Sequence, residues 1–428
     1  MPLFKHVMII SAILNVCACA VNPVTGKKEL SLISPSQEVA MGTKNYLPYQ
    51  QQQGGRYIVD PDLGLYVNAL GKKLASVSDR PGLPYEFVVL NNSVPNAWAL
   101  PGGKIALNRG LLLELQDEAQ LAAVIGHEIV HVAAKHSVNQ MQQAQLAGVL
   151  VLATAVAAKD SQYGSSAALL AAGGAAVWQA KYGQDQELQS DEVGIAYMVK
   201  AGYDPYAAIE LQETFLRLSK GRKSNWLEGL FASHPPSQTR VDKNRTTAQS
   251  IGLRGNRNRD GFQRAIAQLK RDKAAYDLHD KAMAAIREKD ETTALGLLDQ
   301  AIAKQNQEAL FHVTKGQILL NKNLDSRAAA AFSEAKKLNP EYFMGHLGLG
   351  VVEYNQNRRA SAKQNLLRSQ KFLETQTAAY YLGEIELAEG NRKQALAYFD
   401  SAAQQGGELG EKAQQRVNQL RPAPANVQ

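Results

Sequence analysis

The chain has 428 residues, 45% of them hydrophobic and 20% charged, with a formal net charge of +7. That composition excludes a disordered chain, and the length exceeds one ordinary core, so two domains or a domain plus an array are expected. The only cysteines, Cys17 and Cys19, exclude a disulfide framework in the remainder of the chain.

Lys5 and His6 precede an apolar run from Val7 to Val16, too short to span a membrane and suited to a secretory leader. Val16-Cys17-Ala18-Cys19 is similar to a bacterial lipobox, which makes Cys19 the expected lipidation site. Cleavage after Ala18 or Ala20 is the alternative. The expectation is a periplasmic protein tethered by lipid, with the outer membrane favoured.

Ser34-Pro35-Ser36-Gln37 places an N-cap, a Pro at N1 and a Gln at N3, and so starts a helix. Helix signals return over Asp62–Ser76. Glu86–Leu90 reads as a strand and Asn91-Asn92-Ser93 as a turn. Trp98–Leu100 and Lys104–Leu107 read as a strand pair around Pro101-Gly102-Gly103.

His127-Glu128-Ile129-Val130-His131 follows the N-cap signal at Asp117, and the apolar pattern predicts a helix over roughly 117–136. Residues four apart share a helix face, so both imidazoles can meet one metal ion, with Glu128 placed to work on an attacking water. A metzincin needs Gly and His three and six residues after the second ligand, where this chain has Ala134 and Ser137. His136 is one position off, about 140° around a continuous helix from His131. A better source of the third ligand is Glu187 with Asp191, four apart on a second helix: one can ligate while the other orients a histidine.

The segment 139–183 carries two Ala-rich runs, too short to span a membrane, and reads as a helical hairpin or a lid hinged at Gly164, Gly173 and Gly174. Residues 253–273 concentrate Arg and Lys without interleaved aromatics, so nucleic acid is not expected as a partner.

From about residue 275 the pattern repeats every 34 residues. Gly316, Ala328, Phe332 and Ala335 recur as Gly350, Ala362, Leu366 and Ser369, then as Gly383, Ala395, Phe399 and Ala402. Backwards they become Ala282, Ala294, Leu298 and Ala301. Small residues at these positions let paired helices approach closely, so the array resembles tetratricopeptide repeats. Such arrays offer surfaces to peptides and partners.

The boxes His127-Glu-x-x-His131, Glu187-x-x-x-Asp191-x-x-Gly194, Asn96-Ala97-Trp98-Ala99-Leu100-Pro101-Gly102-Gly103 and His234-Pro235-Pro236 with Arg240 together resemble the M48 zinc metallopeptidases. The resemblance covers roughly residues 22–250. Ser190 stands where the family usually has Ala. It implies a zincin-like (gluzincin) fold, mainly α with a small β-sheet. It also implies one Zn2+ per chain on His127, His131 and Glu187, with catalysis by Glu128 and support from Asp191. A strand beside the cleft can hold extended substrate by backbone pairing, which makes Asn96, Ala97, Trp98 and Ala99 the expected substrate strand. His234 is either a turn histidine, a fourth ligand, or a donor to the developing oxyanion, and Arg240 anchors its box or pairs with a carboxylate.

The expected organisation is a leader or lipobox over 1–19, a peptidase domain over 20–255, and a linker helix over 256–274. An α-solenoid of about four repeats plus a capping helix follows over 275–421, then a flexible tail over 422–428. The expected activity is a periplasmic metalloendopeptidase for misfolded outer-membrane proteins, with repeats recruiting clients or assembly machinery. The alternative is a chaperone-like assembly factor whose protease site is latent.

Overall fold

The computed structural model describes residues 19–144, 182–221 and 233–421. The leader, the hairpin or lid reading of 145–181 and the tail from 422 lie outside the described residues, as does the side chain of Cys19. The chain divides into two units, Met1–Tyr46 with Asp60–Ala267 and Leu47–Val59 with Gln268–Gln428. The expected linker helix over 256–274 is instead two helices, α8 (Arg259–Ala265) and the start of α9 (Ala267–Arg287). The expected first domain also loses residues 47–59 to the repeat unit.

In the first unit, β1 (Cys19–Val21) and β2 (Lys28–Leu30) form an antiparallel hairpin. Helix α1 (Pro35–Gln52), which belongs to this unit as far as Tyr46, begins with a capping box, in which Ser34 N donates to Gln37 Oε1 at 2.8 Å and Gln37 N to Ser34 Oγ at 3.3 Å. Helix α2 (Pro61–Ala75) is capped by Asp60 and buries Leu63, Val67, Leu70 and Leu74. Strands β3 (Glu86–Leu90), β4 (Ala97–Leu100) and β5 (Lys104–Asn108) form a sheet in the order β3-β5-β4. The β3–β5 pair is parallel and the β4–β5 pair antiparallel, so β4 is an edge strand among the described residues. The turn between β4 and β5 requires glycine: Gly102 and Gly103 have φ of 74° and 87°, and a Cβ on Gly102 would stand 2.7 Å from Val39 Cα.

After the short α3 (Arg109–Leu112) comes α4 (Glu118–Ala133), buried along its whole length. Its N-cap Asp117 accepts from Gln120 N at 3.0 Å and from Arg257 Nε at 2.8 Å. Arg257 also pairs with Glu210, and Arg254 lies 3.7 Å from the Tyr206 ring centroid. Two residues of the basic stretch thus bond within the unit. Helices α5 (Gln184–Lys200) and α6 (Tyr206–Gly221) pack against α4, and α7 (Gln238–Ile251) packs against α5 and α6.

The second unit pairs α9 with α10 (Glu291–Lys304), α11 (Ala309–Asn321) with α12 (Asp325–Leu338), α13 (Phe343–Asn355) with α14 (Arg359–Phe372), and α15 (Gln376–Ala388) with α16 (Arg392–Ala403). Helix α17 (Gly407–Leu420) packs on α16 and buries Ala413 and Val417. The period has a physical origin in the pairs. A Cβ on Gly316 would meet the Phe332 ring at 2.8 Å, one on Gly350 would meet Leu366 Cγ at 2.8 Å, and one on Gly383 would meet the Phe399 ring at 2.7 Å. The turn inside each pair carries a positive φ at the same register: Lys289, Asn323, Asn357 and Gly390. Residues 47–59 join this unit through Gln51, whose amide donates to Glu341 O and accepts from Phe343 N, both at 2.9 Å. Because Leu298 and Leu366 fill the site that Phe332 fills, Phe332→Leu is expected to lower stability by only about 1 kcal/mol in urea unfolding. Phe332→Asp would unfold the array.

Candidate metal centre

Two helices build the site. Glycine lets them cross closely: a Cβ on Gly126 would stand 3.0 Å from Gly194 O, and one on Gly194 would stand 3.0 Å from His127 N. This approach brings Glu187 of α5 to His127 and His131 of α4. His234 arrives from the segment before α7, where Ser237 caps the helix by accepting from Arg240 N at 3.2 Å. One ligand atom from each of His127, His131, Glu187 and His234 lies within 4.8 Å of all the others.

The hydrogen bonds dictate how the rings face. His127 Nδ1 donates to Asp191 Oδ1 at 2.9 Å, leaving its Nε2 turned inward. His136 Nε2 donates to Gln189 Oε1 at 2.8 Å, so in the neutral ring its Nδ1 is an acceptor. That acceptor lies 2.9 Å from His131 Nδ1, which therefore donates and leaves the His131 Nε2 lone pair inward. The two Nε2 atoms stand 3.0 Å apart. Two lone pairs cannot share that distance without a cation between them.

The electrostatics agree. Burial holds His131 and His136 well below and below their ordinary pKa, respectively, so both are neutral. Burial opposes protonation of His127 as well, yet Glu187 and Asp191 override it and raise its pKa to about 10. A proton drawn there stands in for the cation that the field requires. Burial pushes Glu187 up, but His234 and His127 leave it far below the carboxylate range. Burial also opposes ionisation of Asp191, and Arg240 reverses the balance, donating from Nε and Nη2 at 2.7 Å each. Arg240 Nη1 lies 2.7 Å from Glu187 Oε2. The donor set of imidazole nitrogens and a carboxylate, converging in a buried site, fits a divalent transition metal.

Glu128 is 2% exposed, its pKa is raised by burial, and its Oε2 takes no hydrogen bond. His234 Nε2 lies 3.5 Å from Glu128 Oε1, and His234 Nδ1 lies 2.9 Å from Glu187 Oε1. Ala97 of the edge strand lines the same cavity as His127, Glu128 and His234. Asn96 O, at the start of that strand, accepts from Asn108 N at 2.8 Å.

The structure corrects the helix expected over 117–136. Helix α4 ends at Ala133, and Lys135 takes a φ of 57°. That left-handed residue breaks the screw, so His136 returns to His131 instead of pointing about 140° away from it on a continuous helix. The sequence reading also passed over Tyr182 and Gln189. Tyr182 stacks on the His131 ring with centroids 3.8 Å apart, and its hydroxyl lies 2.8 Å from Ser137 Oγ. Gln189 had a legible signal, since it lies between Glu187 and Asp191 on the same helix.

A buried centre of histidines and a carboxylate, carried on a helix with an adjacent free glutamate, defines a metallohydrolase. Residues 63–248 match Peptidase family M48, and the chain belongs to that family. It is 30% identical over 236 residues to the beta-barrel assembly-enhancing protease of Escherichia coli (strain K12), over 54% of this chain and 47% of that protein. It is also 30% identical over 179 residues to metalloprotease YcaL of Escherichia coli (strain K12), over 40% of this chain and 67% of that protein. The chain spans about half the length of the assembly-enhancing proteases it matches. A thermophilic tetratricopeptide-repeat protein of Thermus thermophilus is similar at 17% identity, over 49% of this chain and 98% of that one, with a TM-score of 0.30. Among the described residues no helix is long and apolar enough to cross a membrane.

Proposed function

We propose that the chain is a periplasmic, zinc-dependent metalloendopeptidase that hydrolyses misfolded or stalled outer-membrane proteins, with the repeats holding clients or assembly machinery. The observation that carries this reading is the free Oε2 of Glu128, buried next to a cluster that converges on one cation. The name of the beta-barrel assembly-enhancing protease supports the setting, and that of metalloprotease YcaL supports the activity. His127, His131 and Glu187 would hold the zinc, with Asp191, His136 and Arg240 fixing their orientation. Zinc, when bound, polarises a carbonyl and lowers the pKa of a water towards about 7. Glu128 takes the proton of the attacking water and passes it to the leaving amine. The edge of β4, with Asn96, Ala97, Trp98 and Ala99, receives substrate as an added strand, which favours unfolded chains. The lipid on Cys19 would tether the protein to the outer membrane.

One observation favours a second reading, a latent assembly factor. His234 stands 3.3 Å from His127 Nε2 and 2.9 Å from Glu187, close enough to take a fourth ligand position. Turnover separates the two: the zinc-loaded chain is expected to degrade an unfolded outer-membrane barrel protein and to spare the same protein once folded. Binding without cleavage would support the latent form. His136→Ala is expected to weaken zinc binding by about 10–100-fold in a chelator competition, because His131 loses the acceptor that orients it. Unchanged affinity would remove His136 from the site.

A further inference from the structure

Lysine has no intrinsic preference for the left-handed φ of 57° that Lys135 adopts, so its neighbours hold it there. The break leaves the carbonyl of Ala134, the C-cap of α4, at a buried helix end, where backbone oxygens lack partners in their own helix. Asn22 Nδ2 donates to that oxygen at 3.0 Å, across 112 residues of chain. Asn22 is itself fixed: it is 4% exposed, and its Oδ1 accepts from Val24 N at 2.9 Å and Thr25 N at 3.2 Å. Those two donors settle the orientation of the amide, because its oxygen faces them and its nitrogen faces the acceptors. The acceptors are Ala134 O and the two oxygens of Glu29, at 3.0 and 2.9 Å.

The far side of the break is held by the same hairpin. Helix resumes at His136. Asn139 Nδ2 donates to Glu29 Oε2 at 2.8 Å, and Gln142 Oε1 accepts from Ile33 N, just beyond β2, at 3.2 Å. Residues on both sides of Lys135 are thus tied to one short element of the first unit, and Asn22, Glu29 and His136 line one cavity. Asn22 makes none of its bonds to a candidate metal ligand. Its route to the centre runs through His136, whose Nδ1 takes the proton-bearing side of the His131 ring and leaves the Nε2 lone pair inward.

We infer that Asn22 is a positioning residue for the metal centre: its bond to Ala134 O holds the turn that returns His136 to His131. The inference rests on the reading of that centre as a zinc site. An asparagine that served only the hairpin would leave the His131 ring unchanged when removed. One that holds the turn sets how firmly His131 presents its nitrogen to the metal.

The test measures zinc affinity of the full chain by chelator competition for Asn22→Ala, for His136→Ala and for both together. Asn22→Ala is expected to weaken zinc binding about tenfold alone and less than about twofold once His136 is gone, since both act through one contact. In the zinc-free chain, NMR of isotope-labelled histidine reads the His131 ring. Its proton is expected on Nδ1 in the parent and shared between the two nitrogens in Asn22→Ala. Should that variant lose its fold, Asn22→Asp with Glu29→Gln keeps the acceptor for Val24 and Thr25 and a bond between the two side chains. That pair removes the donation to Ala134 O and is expected to give the same losses. Unchanged zinc affinity, or an equal loss with and without His136, overturns the inference. A parent chain that binds no zinc would overturn the zinc reading alone. The His131 proton would then decide, and its retention on Nδ1 in the variants would overturn the role of Asn22.

Discussion

Glu128→Gln is expected to lower peptide hydrolysis by about 10²–10⁴-fold while leaving bound zinc and thermal stability nearly unchanged. Glutamine keeps the volume of the side chain but has no basic oxygen, and Glu128 is not needed to complete the four-residue ligand cluster. The native carboxylate sits 2% exposed with a pKa raised by burial, and Oε2 has no partner to satisfy it. That environment suits a group that takes a proton and gives it back. A steady-state rate compared at matched zinc content checks the first half, and a melting curve checks the second. Loss of zinc together with activity would move Glu128 into the ligand set.

Arg240→Ala is expected to destabilise the metal-free first unit by about 3–5 kcal/mol, because it strands two buried carboxylates. Asp191 and Glu187 are 6% and 1% exposed, and the guanidinium reaches both at 2.7 Å. Zinc restores part of the missing positive charge, so the loss should shrink in the loaded protein. Arg240→Lys should not rescue, since a single ammonium cannot span both carboxylates as the fork does. Denaturant unfolding with and without zinc reads both effects. An Arg240→Ala chain as stable as the parent would mean that the ion cluster is not where the unit stores its stability.

Much of this site was legible because its parts follow helical spacing. His127 and His131 are four apart, as are Glu187 and Asp191, and each pair lies on one helix face in the structure. The roles of His136 and Tyr182 were not legible. His136 depends on a left-handed Lys135, and lysine carries none of the turn signal that Gly or Asn would give. Tyr182 lies next to a stretch without periodicity. In the repeats the period was readable because the close approaches of Gly316, Gly350 and Gly383 leave room only for hydrogen at each point. The transfer of residues 47–59 to the repeat unit was not, since Gln51 finds partners at Glu341 and Phe343, far along the chain. Pattern reading sees neighbours in sequence, and that contact has none.

The most direct measurement is a zinc titration of the stripped chain, with cleavage of an unfolded outer-membrane barrel protein followed alongside bound metal. The expected result is a rate that rises in proportion to occupancy, levels at one zinc per chain and stays at background throughout for Glu128→Gln. Cleavage that persists in the stripped chain, or full occupancy without turnover, would contradict a zinc peptidase acting through Glu128.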